Sequence, residues 1–342
     1  MFKSETAMNA MLAKSPAATA TRTPDWTAAA FVRPRHLLVP VDFSPTSAHA
    51  LRYAGALADC FNAALTVLHV VEPPVMPEWG YAHLVRRDHL LRTEAHRKLI
   101  EFAAPRAESS PHCTRVAVRS GEPELQIFEA ARELKCDLIV IATHGHSLLP
   151  HCLLGNTAEQ VVRRAPCPVW TVRGEGVEND SVPAIPPLRH LLVATDFTTE
   201  ARKALSYGIA LAREFGADLH VVHVVPTVLP ADVSHLSVLG QEKALHEAAE
   251  REMHRLRTSE IPADLPVHTA ILSGNPFAEI SKEAERLCAG LIIVSTHGYT
   301  GLRYLLLGCT AQRIVQHARV PVLVVREHET EFLAETEPRK EI

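Results

Sequence analysis

Two glycines separated by nine residues, Gly145 and Gly155, stand in a long loop after an apolar run, and the second precedes a helix-like stretch. The same spacing returns at Gly298 and Gly308. Glycine lets a backbone approach a ligand closely and permits positive φ. A helix that starts there presents unpaired N–H groups and the positive end of its dipole, chemistry that suits phosphate oxygens. The hydroxyls of Thr157 and Thr310 add donors in the first turn. The plain alternative is a turn and an N-cap with no ligand. A second group comes earlier in each half: Pro40, Val41 and Asp42, then Ala194, Thr195 and Asp196. Each aspartate ends an apolar run and precedes a helix, where a carboxylate either caps local amides or meets a ribose or a bound cation. The pair of residues before it offers backbone groups to a base.

These groups recur because the chain contains itself twice. Residues 35–72 align without gaps onto 189–226, with 20 of 38 positions identical. After one single-residue length change, SGEPELQIFEAARELKCDLIVIATHG (120–145) answers SGNPFAEISKEAERLCAGLIIVSTHG (273–298). A period near 154 residues exceeds that of a solenoid, so each copy must bury its own core. The expected organisation is a disordered leader at 1–30, a first domain at 31–173, a Gly/Pro/acidic linker at 174–187, a second domain at 188–327 and a polar tail at 328–342.

Within a copy, strands and helices alternate. HLLVPVD (36–42) is apolar without strict alternation, as in a parallel strand covered on both faces. Ser44 is a plausible N-cap with Pro45 at the first helical position. Leu51, Ala54, Leu57 and Phe61 then keep helical spacing and recur as Leu205, Gly208, Leu211 and Phe215. A strand at ALTVLHVV, a polar helix over 83–104, a strand at TRVAVRS, a helix over 123–135, a strand at DLIVIAT, a helix from about Thr157 and a strand at PVWTVR complete the unit. The pattern predicts an α/β fold: two tandem copies of a doubly wound, five-stranded parallel sheet. In such sheets the ligand lies beyond the carboxyl ends of the strands, where strand order reverses.

Composition narrows the function classes. Of 342 residues, 47% are hydrophobic and 22% charged, as in a folded globular chain. A formal charge of -4 supplies no basic field for nucleic acid or an anionic membrane. Seven cysteines without C-x-x-C spacing are no disulfide framework and point to a reducing cytoplasm. No apolar run approaches the ~20 residues of a membrane span.

The order V-P-V-D-F-S, L-H-V-V, S-G-x-P, T-H-G, L-L-G and P-V-x-x-V-R resembles the universal stress protein family, over nearly all of 31–327. The resemblance implies a Rossmann-like fold and, in members that bind ATP, the motif G-x2-G-x9-G-(S/T). Laid on this chain, its first glycine falls on Ala142 and Ser295, its second on Gly145 and Gly298, its third on Gly155 and Gly308, and its last position on Asn156 and Cys309. Each copy departs at the first and last positions. Asn156 keeps an amide donor, whereas Cys309 is a weak one. By the same resemblance Asp42 and Asp196 lie near the nucleotide and Val70 and Val224 line the adenine. His144 and His146 flank Gly145, as His297 and Tyr299 flank Gly298, and complete the candidate contacts. The last strands PVWTVR and PVLVVR sit where relatives pair subunits, implying an intrachain pseudo-dimer and a homodimer through those strands.

The resulting expectation is a stress-response regulator that binds an adenine nucleotide, ATP with Mg, in at least one domain, and acts on an unknown protein partner. A weak ATPase and an interaction module with degenerate pockets are the alternatives. Neither copy supplies a shared nucleophile–base–acid set, so no catalytic residue is assigned. His144, His146, His151 and Cys152 are metal-capable types at close range, but without regular zinc spacing they are assigned no metal.

Overall fold

Each repeat begins with a pentapeptide whose three middle residues must escape water on both sides of a sheet. The computed structural model describes residues 33–72, 81–109, 114–143, 154–173, 188–227, 235–296, 309–326 and 329. In the first repeat, β1 (His36–Pro40) buries Leu37, Leu38 and Val39 completely. Helix α1 (Pro45–Phe61) follows, started by Ser44, whose side chain accepts from the Ser47 amide. Then come β2 (Ala64–Val71), α2 (Tyr81–Ser109), β3 (Thr114–Ser120), α3 (Pro123–Glu133), β4 (Leu138–Ala142), α4 (Asn156–Arg164) and β5 (Val169–Val172). The second repeat runs β6 (His190–Ala194), α5 (Thr199–Phe215), β7 (Asp218–Pro226), α6 (His235–Ser259), β8 (Val267–Gly274), α7 (Pro276–Arg286), β9 (Leu291–Ser295), α8 (Cys309–His317) and β10 (Val322–Val325).

The expected alternation is present, with α2 longer than the 83–104 read from the sequence. Its last turns are polar, but Arg106 reaches back to α1 and donates two hydrogen bonds to Asp59, both at 2.7 Å. That tie holds turns that apolar periodicity does not mark. The turns after β3 and β8 need glycine: Gly121 and Gly274 each take φ 141°, a conformation essentially closed to other residues.

The two five-stranded sheets do not stand apart. They form one ten-stranded sheet in the order β3-β2-β1-β4-β5-β10-β9-β6-β7-β8. Among the described residues, all neighbours within a repeat are parallel, and the single antiparallel pairing joins β5 to β10, with Trp170 opposite Leu323. Both faces carry an apolar layer that crosses this seam, with Trp170 and Leu323 on one side and Val169, Val322 and Val324 on the other. The seam is also laced reciprocally. Arg173, after β5, donates to the His317 carbonyl at the end of α8 at 3.2 Å, and Arg326, after β10, donates to the Arg163 carbonyl in α4 at 2.9 Å. Cations at helix C-termini meet the negative end of the dipole. The expected intrachain pseudo-dimer is therefore built into the sheet. A homodimer through the same strands is not available, because β5 and β10 have both edges occupied within the chain.

Candidate functional site

Strand order reverses between β1 and β4, and again between β6 and β9, so each repeat has one switch point. The pairing of β1 with β4 covers only Leu37 with Leu138 and Leu38 with Ile139. Beyond it, Val41 turns to the other neighbour and donates to the Leu68 carbonyl at 2.8 Å, as Thr195 does to Val222 at 2.9 Å. Pro40 has no N–H to offer β4. The strand ends thus part, leaving a crevice flanked by Pro40, Val41 and Asp42 on one side and the end of β4, at Ala142, on the other. Ala194, Thr195, Asp196 and Ser295 hold the corresponding places in the second repeat.

The aspartates are set by a turn that the two repeats build alike. Asp42 Oδ1 accepts from the Ser44 amide at 3.0 Å and from the Ser44 hydroxyl, and Ser44 then caps α1. Asp196 Oδ1 accepts from the Thr198 amide at 3.1 Å and its hydroxyl at 2.5 Å, and Thr198 caps α5 by accepting from Ala201. Capping is one of the two roles foreseen for these carboxylates. Between aspartate and cap, Phe43 and Phe197 both take φ 65°, which is strained for an aromatic residue and costs about 1–2 kcal/mol. The compensation is visible. The Phe43 ring lies 4.3 Å from His69 and the Phe197 ring 4.5 Å from His223, centroid to centroid. Each histidine Nδ1 is 2.8 Å from a carbonyl, that of Val41 or Thr195. A carbonyl only accepts, so Nδ1 carries a proton in both. Burial holds the His223 imidazole below its ordinary range, which favours its neutral form with Nε2 as acceptor. His69 and His223 are half-buried residues near the strand ends that clamp the site loop. Phe43 and Phe197 were missed altogether. The repeated Asp-Phe dipeptide was the only signal, and no pattern rule assigns positive φ to phenylalanine.

On the other wall, α4 opens at Gly155. Its amide donates to the Thr143 carbonyl at 2.8 Å, which draws the helix start onto the end of β4. Its φ of -67° is open to any residue, so no conformational demand requires glycine there. Among the described residues, a Cβ at Gly155 would meet only the Thr143 carbonyl, at an ordinary 3.6 Å. Unlike Ser44, Thr198 and Asn275, Gly155 has no side chain to accept from the first-turn amides. Asn156 is exposed and Thr157 half-buried in that turn, and Thr310 is half-buried in the first turn of α8. Val70 and Val224, near the ends of β2 and β7, pack on the apolar layer of one face. An open depression of about 490 Å³ lies beside the first crevice, lined by Asp42, Phe43, Lys98, Glu101 and Phe102. His144, Gly145, His146, His297, Gly298, Tyr299 and Gly308 lie outside the described residues, as do His151, Cys152 and the side chain of Cys309. Among the described residues, no group of three or more His, Cys, Asp or Glu is arranged to hold a metal ion, and no helix is long and apolar enough to cross a membrane.

Strand order and the switch-point crevice make each repeat a doubly wound α/β domain. The universal stress protein family matches residues 34–173 and again 187–326, and the chain belongs to that family and, with it, to the proteins of the stress response. A universal stress protein of Mycolicibacterium smegmatis is 27% identical over 299 residues, covering 85% of this chain and 96% of its own. One from Methanocaldococcus jannaschii is 32% identical over 147 residues, covering 42% of this chain and 85% of its own. Among solved structures, a universal stress protein from Archaeoglobus fulgidus superposes with a TM-score of 0.59 at 23% identity, covering 85% of this chain and 98% of that one.

Proposed function

We propose that the protein is a stress-response regulator that holds an adenine nucleotide, ATP with Mg, at the switch-point crevice of at least one repeat. The observation that carries this reading is the start of α4. Gly155 offers it no capping side chain, it is pinned to the end of β4, and among the described residues neither backbone conformation nor packing requires that glycine. A ligand approaching those amides closely is a physical reason for glycine there. In this reading the first-turn amides, Asn156 and Thr157 receive phosphate oxygens, Asp42 or Asp196 meets the ribose or the cation, and Val70 or Val224 lies against the base. The nucleotide supplies the charge that orders the 142–157 and 295–310 loops and so presents a different surface to a protein partner. Both aspartates already support a helix start, which suits positioning rather than proton transfer, so the role assigned is binding without turnover.

The direct test is mass spectrometry of small molecules released on denaturing freshly purified protein, paired with calorimetric titration of ATP–Mg. Nucleotide in the released fraction, or saturable binding, supports the reading. An empty fraction with no heat and no thermal shift at millimolar ATP–Mg overturns it in favour of an interaction module with degenerate pockets.

A further inference from the structure

The second repeat carries a row of three imidazoles that the first repeat lacks. His190 on β6, His220 on β7 and His268 on β8 lie across three neighbouring strands. His190 and His220 have ring centroids 5.5 Å apart, with Nδ1 of His190 3.4 Å from Nε2 of His220. His220 and His268 stack at 4.9 Å and 19°, and they are direct partners in the strand register. In the first repeat the same register positions hold His36, Thr66 and Arg115. There His36 is fully engaged, by the Leu134 carbonyl at 3.0 Å and the Thr66 hydroxyl at 2.8 Å. Two of the three positions thus differ from the first repeat, and the row reaches one sheet edge, since β8 is an outermost strand.

Neutral imidazoles pack as aromatic rings and share a proton between facing nitrogens, whereas protonated ones repel. The charged groups around His220 come from each neighbouring element. They are His190 on β6, Asp218 on β7 itself, His268 on β8 and Glu283 on α7. Asp218 stands 3.5 Å from His190 Nδ1, and Glu283 is already held by Arg286 at 2.6 Å. One carboxylate close to the row offsets one positive charge and leaves the others opposed. A metal is not the occupant of this row. Rings stacked at 19° cannot both aim in-plane lone pairs at one ion, and no metal-holding group is present among the described residues.

We propose that the His190–His220–His268 row is a proton-sensitive latch on the outer strands of the second repeat, which loosens β7 and β8 on acidification more than the matching strands β2 and β3 of the first repeat. The sign follows from the environment of His220. Burial first, and its two histidine neighbours next, keep it below the ordinary imidazole range. The folded chain then binds fewer protons than the unfolded one, so stability is full above about pH 6.5 and declines as pH falls through and below that value.

The test is amide hydrogen exchange on the full chain, in chelator, from about pH 7.5 to about pH 5.5, with rates corrected for intrinsic chemistry. Peptides spanning 218–226 and 267–274 are expected to lose protection several-fold more than those spanning 64–71 and 114–120. Equal losses in the two repeats overturn the proposal. His220→Thr, which installs the residue of the first repeat and leaves His223 in place, is expected to reduce the difference. Should that variant fold poorly, His268→Thr at the exposed edge position is expected to reduce it. A pH response unchanged in either folded variant also overturns the latch.

Discussion

Gly155 and Asp42 separate two demands that fall on a site residue, that of the fold and that of the ligand. Gly155 has an unexceptional φ of -67° and, among the described residues, room for a methyl group. Gly155→Ala is therefore expected to leave folding stability within about 0.5 kcal/mol of the parent, by denaturant titration, while weakening ATP–Mg binding in calorimetry. Asp42 serves both demands, since its Oδ1 orients the Ser44 cap. Asp42→Ala should cost both affinity and about 1 kcal/mol of stability, because the Ser44 amide and hydroxyl lose their acceptor. Asp42→Asn keeps an oxygen acceptor and should retain most of the stability. Comparing the two variants by chemical denaturation and by titration separates the roles. At this scale repetition made Asp42, Asp196 and Gly155 legible, because types that suit caps and phosphates recur at fixed spacing. The strained Phe43 and Phe197 were not legible, since their conformation is imposed by the His69 and His223 rings arriving from a strand distant in sequence.

Elements carry the next layer. Strand and helix existence followed from short apolar runs and helical spacing, because a buried parallel strand tolerates no polar alternation. The end of α2 did not follow, because its final turns depend on the Arg106–Asp59 contact. Gly208 shows how a helix position that looks merely small is a packing requirement. A Cβ there would lie 2.4 Å from Val193 Cγ2, a branched side chain with little freedom on a central strand. Gly208→Ala is expected to destabilise the protein by about 1–3 kcal/mol despite the better helix propensity of alanine, as read from thermal or urea melts. Its counterpart Ala54 already carries a methyl group in the first repeat. Ser44→Ala should cost about 1–2 kcal/mol by loss of the N-cap, again by denaturant melt.

At the scale of the molecule, duplication was legible and the joining of the halves was only partly so. The apolar runs PVWTVR and PVLVVR pointed to strand-edge pairing, but whether the partner is the other repeat or another chain depends on the linker and the reciprocal arginine contacts, which no local pattern encodes. With β5 and β10 occupied by each other, residues 31–173 produced alone would expose a four-residue apolar edge. The expectation is that this fragment self-associates in light scattering while the full chain does not associate through that strand. A monomeric, folded fragment would show that β5 is stable without a partner.

The antiparallel seam has one more consequence, for how the two crevices are displayed. Strands run the same way within a repeat and reverse across β5–β10, so the carboxyl ends of the two halves emerge at opposite rims of the shared sheet. The crevices therefore look away from each other. A small ligand cannot bridge them, and a rigid partner docked over one rim leaves the other uncovered. The two rims are linked through the sheet and its seam, and also through helix contacts such as Phe61 with Phe215 and Gln312 with Glu159.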